Sequence, residues 1–314
     1  MLLLQNFLIL CFGLAILIWG ADKFVAQSSV FAKRIGVSDL IIGLTLVAFG
    51  TSAPEIFIGI SGIFNESAAL SLGTVIGSNI SNIALIFGIA CFSLRKQIAD
   101  SLINLLPFVI SFIWLGFALF NGKINQFEAI VFIGILGLFL FTLFKSNDLK
   151  EENIQDQAGS IFKEMLGLTI GLIGLIFGSH LCVNHAENIA VILGVPEIII
   201  GLTILALGTS LPELAASIAA LVKKKAQMVV GNIIGSNIFN LVFVVPMIGF
   251  FSALTIEDTV FERDFLVLAL LSTAFLVAIM LLKFAPFKGW VMKLFGLTFV
   301  SSYIAYIINL SGLI

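Results

Sequence analysis

Two glutamates, Glu55 and Glu213, stand in the same setting 158 residues apart. Residues 43–55 read GLTLVAFGTSAPE and residues 201–213 read GLTILALGTSLPE. Each acid lies deep in an apolar stretch long enough to cross a bilayer, where an unpartnered carboxylate costs about 3 kcal/mol or more. No Lys or Arg falls in the middle of any such stretch, so no fixed cation balances the pair. Two such carboxylates must take up a proton or an imported cation. A second motif recurs at the same offset, GTVIGSNISN at 73–82 and GNIIGSNIFN at 231–240. Ser78 and Asn82 share a helix face by i,i+4 spacing, as do Ser236 and Asn240. The collected donors are carboxylates, amide oxygens and hydroxyls. Ca²⁺ takes about 6–8 oxygen ligands in flexible geometry, whereas Mg²⁺ keeps much of its water. Zn²⁺ and Cu⁺ favour His or Cys, and neither belongs to the constellation. The formal charge of the two acids suits one Ca²⁺ or a group of Na⁺ ions.

The elements that position these groups are broken helices. Proline inside a spanning helix removes a backbone bond and clashes with the preceding turn. With Gly50 before Pro54 and Gly208 before Pro212, each helix is expected to break near the bilayer midplane, exposing carbonyls beside Thr51, Ser52, Thr209 and Ser210. Backbone freed at that depth must face protein or a water-filled cavity. A simpler role exists for the same letters. Ser52-Ala53-Pro54-Glu55 and Ser210-Leu211-Pro212-Glu213 both fit the S-x-x-E capping box. Capping alone leaves unexplained why the costly acid occurs twice at mid-span. Asn79 and Asn237 point away from the Ser–Asn face and suit interhelical hydrogen bonding. Gly73, Gly77, Gly231 and Gly235 form small-xxx-small pairs that permit close helix contact.

The chain has 314 residues, 60% hydrophobic and 11% charged, which places it among integral membrane proteins. Its net charge of −2 gives no reason to expect a nucleic-acid partner. Cys11, Cys91 and Cys182 are scattered and define no disulfide framework. The first apolar segment lacks a basic leader and a cleavage site and reads as a retained helix. Ten spans are expected, near 4–31, 38–62, 70–93, 101–120, 126–145, 161–190, 197–221, 227–251, 263–283 and 289–311. The fold expected is all-α: two five-helix repeats, residues 1–145 and 161–314, joined by a polar linker at 146–160. Glycines and valines at 13, 20, 25, 36, 37 and 43 recur 158 residues later, so the repeat exceeds the motifs. An odd number of spans per repeat makes the two halves inverted in topology. Lys33, Arg34, Arg95, Lys96, Lys145, Lys150, Lys163, Lys223–Lys225, Lys283 and Lys288 fall in loops on one side. Lys123 and Arg263 fall on the other, with the acidic Glu257, Asp258, Glu262 and Asp264. That bias puts the linker in the cytoplasm and both termini outside a cell or inner membrane. His180 and His185 are not duplicated and suit interior hydrogen bonds. Asp22 and Lys23 suit a wetter part of the first helix.

At these motifs the chain resembles the cation/calcium exchanger superfamily, in its prokaryotic sodium/calcium exchanger-like branch. The resemblance covers essentially the whole chain and implies alternating access, with the first and sixth helices sliding across an ion-holding bundle. It implies that Glu55 and Glu213 share Ca²⁺ and Na⁺, with Thr51, Ser52, Thr209 and Ser210 as hydroxyl and carbonyl ligands. It implies serine ligands at Ser78 and Ser236, a central asparagine at Asn82, and carbonyls of Ala48 and Ala206 facing outer sodium positions. Some relatives carry aspartate where this chain has Asn240. Asparagine there resembles the potassium-independent branch.

The function expected is therefore a secondary antiporter exchanging Na⁺ for Ca²⁺, without a cofactor and with no protein partner implied. A Ca²⁺/H⁺ antiporter would use the same two acids. Proton-coupled relatives follow the acid with histidine, whereas Ile56 and Leu214 stand here. A channel would place the same residues along an open pore. An enzyme would need a base beside Ser52 or Ser210, and no His or Lys is duplicated near either.

Overall fold

The computed structural model describes residues 2–64, 68–94, 102–147, 160–195, 206–252, 254–256, 259–284 and 289–310. Most of the expected linker, residues 201–205 of the second motif copy, and Arg95, Lys96, Lys150, Glu257, Asp258 and Lys288 lie outside the described residues. In hydrocarbon every backbone polar group needs an internal partner, so apolar runs of this length become helices. Seven described helices are long and apolar enough to cross a membrane, or eight when one bent pair counts as a single span.

The first half begins with α1 (Leu2–Arg34). A bent pair follows, α2 (Asp39–Thr51) and α3 (Ala53–Phe64), with 48° between their axes. Then come α4 (Ala68–Cys91), α5 (Leu106–Phe120) with a 3-10 turn before it, and α6 (Gln126–Asn147). The second half runs α7 (Ile161–Ile192), α8 (Ala206–Thr209), α9 (Leu211–Val222) and α10 (Ala226–Phe251). It ends with α11, a π turn (Val260–Phe265) continuing as Leu266–Phe284, and α12 (Gly289–Leu310). Strands β1 (Lys123–Ile124) and β2 (Leu254–Thr255) pair antiparallel and bring two turns to one end of the bundle.

α1 and α7 make the most extensive helix contact and run antiparallel. Arg34 at the end of α1 makes a two-pronged ion pair with Glu164 at the start of α7, at 2.8 and 2.7 Å. At the opposite ends, His185 Nδ1 lies 2.7 Å from Asn6 Oδ1. Between them glycine lets the backbones touch. A Cβ on Gly20 would collide with Leu175 and Gly174 backbone, and one on Gly178 with Leu17 backbone. These two contacts exchange under the 158-residue offset, since Gly20 matches Gly178 and Leu17 matches Leu175.

The helix ends repeat as well. Gly36 and Gly194 take φ of 70° and 74°, a left-handed conformation that favours glycine. Val37 N–H then reaches Ala32 O, and Val195 N–H reaches Ala190 O, both at 2.9 Å. These are matching C-terminal caps. At the Gly36 end of the bundle, Lys225 pairs with Asp39 at 2.8 Å and Lys223 with Asp22. The basic run after α9 is therefore partly engaged in ion pairs, beyond marking the polarity of a loop.

Candidate functional site

Both helix breaks fall between the glycine and the proline, at the serine. Ser52 and Ser210 are the non-helical residues, with φ/ψ of −81°/0° and −89°/6°. The reason is the proline, which fits the first turn of a helix, where its missing N–H costs nothing. Pro54 and Pro212 are therefore the second residues of α3 and α9, and the bend precedes them. Each glutamate follows its proline in the first turn of the new half-helix.

Glu55 and Glu213 are 2% and 1% exposed. They lie close enough to interact as like charges. No Lys or Arg pairs with either among the described residues. Ser52 Oγ donates to Glu213 Oε1 at 2.8 Å, joining the break of the first half to the acid of the second. The equivalent hydroxyl, Ser210 Oγ, stands beside Glu55 in a looser contact, and neither it nor Glu55 Oε1, Glu55 Oε2 or Glu213 Oε2 makes a well-formed hydrogen bond among the described residues. The capping-box reading fails in the second repeat, and in the first the serine hydroxyl has a further task. Ser210 makes no side-chain cap, and Ser52 spends its proton on the opposite repeat.

Asn82 and Asn240 each open a π turn, Asn82–Phe87 and Asn240–Val244. Such wide turns often mark functional positions in helices. Asn240 Nδ2 donates to Asn79 Oδ1 at 3.2 Å, leaving Asn240 Oδ1 without a partner. Asn79 Nδ2 in turn donates to the carbonyl of Asn237, its own counterpart at the 158-residue offset. Asn79 thus bonds between helices as expected, and it also fixes an expected site residue. Asn82 is buried with both amide atoms unpartnered among the described residues.

Ser236 Oγ lies 3.5 Å from Ala48 O, a carbonyl that also accepts the Ser52 N–H at 3.0 Å. Thr51 Oγ1 donates to Asn232 Oδ1 at 3.3 Å, and Asn232 Nδ2 donates to Ser217 Oγ at 3.2 Å. Asn232 and Ser217 were not singled out in the sequence, because their counterparts are Thr74 and Gly59 and the repeat does not mark them. Pro212 deprives the Gly208 carbonyl of its helical partner. Ser179 of α7 takes it over at 3.1 Å, so the carbonyl expected to be free there is satisfied. Ala206 opens α8.

Ser78 and Thr209 line a cavity of about 880 Å³, together with Pro54. The cavity reaches Ile256 and Leu310 and stops one residue short of Glu55. Gly73 of α4 is exposed on its wall, whereas the counterpart Gly231 is buried against Leu40, Gly43 and Leu44 of α2. The two carboxylates are therefore occluded beneath a cavity that reaches toward the β1–β2 end. No three His, Cys, Asp or Glu side chains converge among the described residues. A metal ion held between the acids would draw its remaining ligands from neutral oxygens.

The sequence model described as sodium/calcium exchanger protein matches residues 5–145 and 163–312. Inner membrane protein YrbG of Escherichia coli (strain K12) is 32% identical over 280 residues, covering 85% of this chain and 86% of that protein. Sodium/calcium exchanger MaX1 of Methanosarcina acetivorans is 28% identical over 354 residues, covering 97% and 98%. A structure of the sodium-calcium exchanger NCX_Mj soaked with 10 mM Na⁺ and zero Ca²⁺ superposes with a TM-score of 0.79 at 30% identity, over 97% of both chains. Because the family match takes in both halves, each with its buried acid, the chain belongs to the sodium/calcium exchanger protein family, whose members are membrane ion exchangers and not enzymes.

Proposed function

We propose that this protein is a secondary antiporter that moves Ca²⁺ against Na⁺ by alternating access, independent of K⁺ and electrogenic. The observation that carries the reading is the pair of buried carboxylates with no Lys or Arg partner among the described residues. Burying unpaired charge is strongly unfavourable, so a cation or proton must accompany them through the cycle. Buried polar atoms are nearly always satisfied in folded proteins. Here six unpartnered oxygens belong to expected site residues: two on Glu55 and one each on Glu213, Ser210, Asn82 and Asn240. Their number and type suit Ca²⁺, which takes about 6–8 oxygens. Thr51, Ser52, Ser78, Thr209, Ser236 and the carbonyls of Ala48 and Ala206 complete the proposed ligand set for the Ca²⁺ and Na⁺ positions. The names of MaX1 and NCX_Mj as sodium/calcium exchangers support these two ions as substrates.

The architecture proposed is two inverted five-span repeats, residues 1–145 and 161–314, with a cytoplasmic linker and both termini outside. Support comes from the antiparallel α1–α7 packing, from contacts that exchange under the 158-residue offset, and from Asn79 bonding to its own counterpart. The basic residues Arg34, Lys223 and Lys225 lie at the end of the bundle opposite β1–β2, in keeping with a cytoplasmic face there. The test is Ca²⁺ flux in proteoliposomes under a Na⁺ gradient. Glu55→Gln and Glu213→Gln should each abolish flux while the purified protein remains folded. Near-normal exchange by either variant would overturn the site. Flux driven by a pH gradient without Na⁺ would transfer the protein to the proton-coupled class.

A further inference from the structure

The cavity above the occluded acids has a charged feature that the ion site does not use. Among the described residues lining it, Arg263 and Asp264 are the ones that carry fixed charge. They are consecutive residues in the π turn that opens α11. Arg263 Nε–H donates to Asp264 Oδ1 at 2.7 Å, and its Nη2–H donates to Oδ2 at 3.0 Å. The guanidinium therefore covers both carboxylate oxygens. Tyr306 of α12 donates its hydroxyl to Oδ1 at 3.0 Å. The Asp264 side chain is 13% exposed and that of Arg263 is 45% exposed.

An ion pair between residues already joined by a peptide bond links no two elements. Tyr306 does that, by tying α12 to α11. What the pair changes is the field in the cavity. The carboxylate is pinned in the wall, and the more exposed end of the dipole is positive. Low-dielectric walls focus such a field onto an ion in the cleft.

We propose that Asp264 is a cation-attracting site on the access path and that Arg263 is a tethered cation occupying it, setting the potential that an arriving ion meets. The inference rests on the exchange reading for its readout. It has a signature that a packing role lacks. A local potential acts on an ion in proportion to its charge, so the fold-change in KM for divalent Ca²⁺ is the square of that for monovalent Na⁺.

The experiment titrates both ions in right-side-out and inside-out vesicles. Arg263→Gln leaves Asp264 bonded to Tyr306 and uncovers its charge. KM should fall about tenfold for Ca²⁺ and about threefold for Na⁺, from the cavity's face alone, the low end of electrostatic focusing in clefts. Asp264→Asn leaves the arginine bare and should raise both KM values in the same squared relation. The double variant carries neither charge and should return both to within about twofold of wild type, because the field is gone. The double variant also guards against a misfolded Asp264→Asn protein. Equal factors for the two ions, shifts seen from both faces, or no shift in Arg263→Gln would overturn the assignment while leaving wild-type exchange intact. A wild type that exchanges neither ion would overturn this inference together with the exchange reading.

Discussion

Ser52 and Ser210 are equivalent in sequence and inequivalent in the structure. Ser52 donates to Glu213 at 2.8 Å, whereas Ser210 stands beside Glu55 without a well-formed hydrogen bond among the described residues. A hydrogen bond to a charged group contributes about 1.5–3 kcal/mol, and leaving the buried acceptor bare costs a similar amount. Ser52→Ala should therefore lower the stability of the ion-free protein by about 1–3 kcal/mol, and Ser210→Ala should stay within about 0.5 kcal/mol of wild type. Thermal unfolding in detergent, without Na⁺ or Ca²⁺, checks the difference. Equal losses in the two variants would mean that the carboxylates are held alike. The acids themselves were legible in the sequence because an acid at mid-span has no cheap explanation. Asn232 and Ser217 were not, since the chain Thr51–Asn232–Ser217 depends on which helices meet, and the repeat carries Thr74 and Gly59 in their place. The Asn79–Asn240 bond was hidden for the same reason, although both residues stand in a conspicuous motif.

Among the elements, α1 and α7 carry the closest backbone approach. A Cβ on Gly20 would strike Leu175 and Gly174 backbone, and backbone cannot rotate aside as a flexible side chain can. Overpacking of this kind costs about 1–3 kcal/mol. Gly20→Ala should destabilise the protein by that order and slow exchange. Gly137 of α6 offers the control, because it is exposed and a Cβ there meets nothing within 4 Å among the described residues. Gly137→Ala should be neutral or stabilising by up to about 1 kcal/mol, the helix preference of alanine over glycine. Unfolding and flux measured on both variants decide whether this helix pair is as tightly matched as it looks. Hydropathy anticipated the described spans to within a few residues, because apolar length alone dictates a helix in lipid. It missed the π turns at Asn82 and Asn240. One extra residue in a single turn leaves no trace in hydrophobic periodicity.

At the scale of the whole molecule, the two ends of the bundle differ. One end is tied by Arg34–Glu164, Lys225–Asp39 and Lys223–Asp22, with Gly231 and Gly235 packed onto α2. Toward the other, a cavity of about 880 Å³ approaches the acids from the side where Gly73 is exposed. Such a shape suits a carrier paused with access from one face, and a continuous pore would need both ends open. Charge then decides how the carrier responds to voltage. The two glutamates supply two negative charges, and Asn82 and Asn240 add oxygen without charge. One Ca²⁺ would neutralise that site, whereas about three Na⁺, the count we propose for electrogenic exchange, would leave one positive charge in excess. Moving that excess through the membrane is worth about 2.3 kcal/mol per 100 mV. That is nearly a fifty-fold bias in the exchange equilibrium at about 100 mV, since about 1.4 kcal/mol is tenfold. Proteoliposomes with equal K⁺ on both sides, a clamped potential and a Na⁺ gradient should show Ca²⁺ uptake that grows when the potential favours exit of the extra positive charge. Uptake that ignores the potential would mean that the two loaded states carry equal charge, and the Na⁺ count would fall to two. A strict need for K⁺ would mean that a further cation joins the cycle and that an asparagine at position 240 does not exclude it.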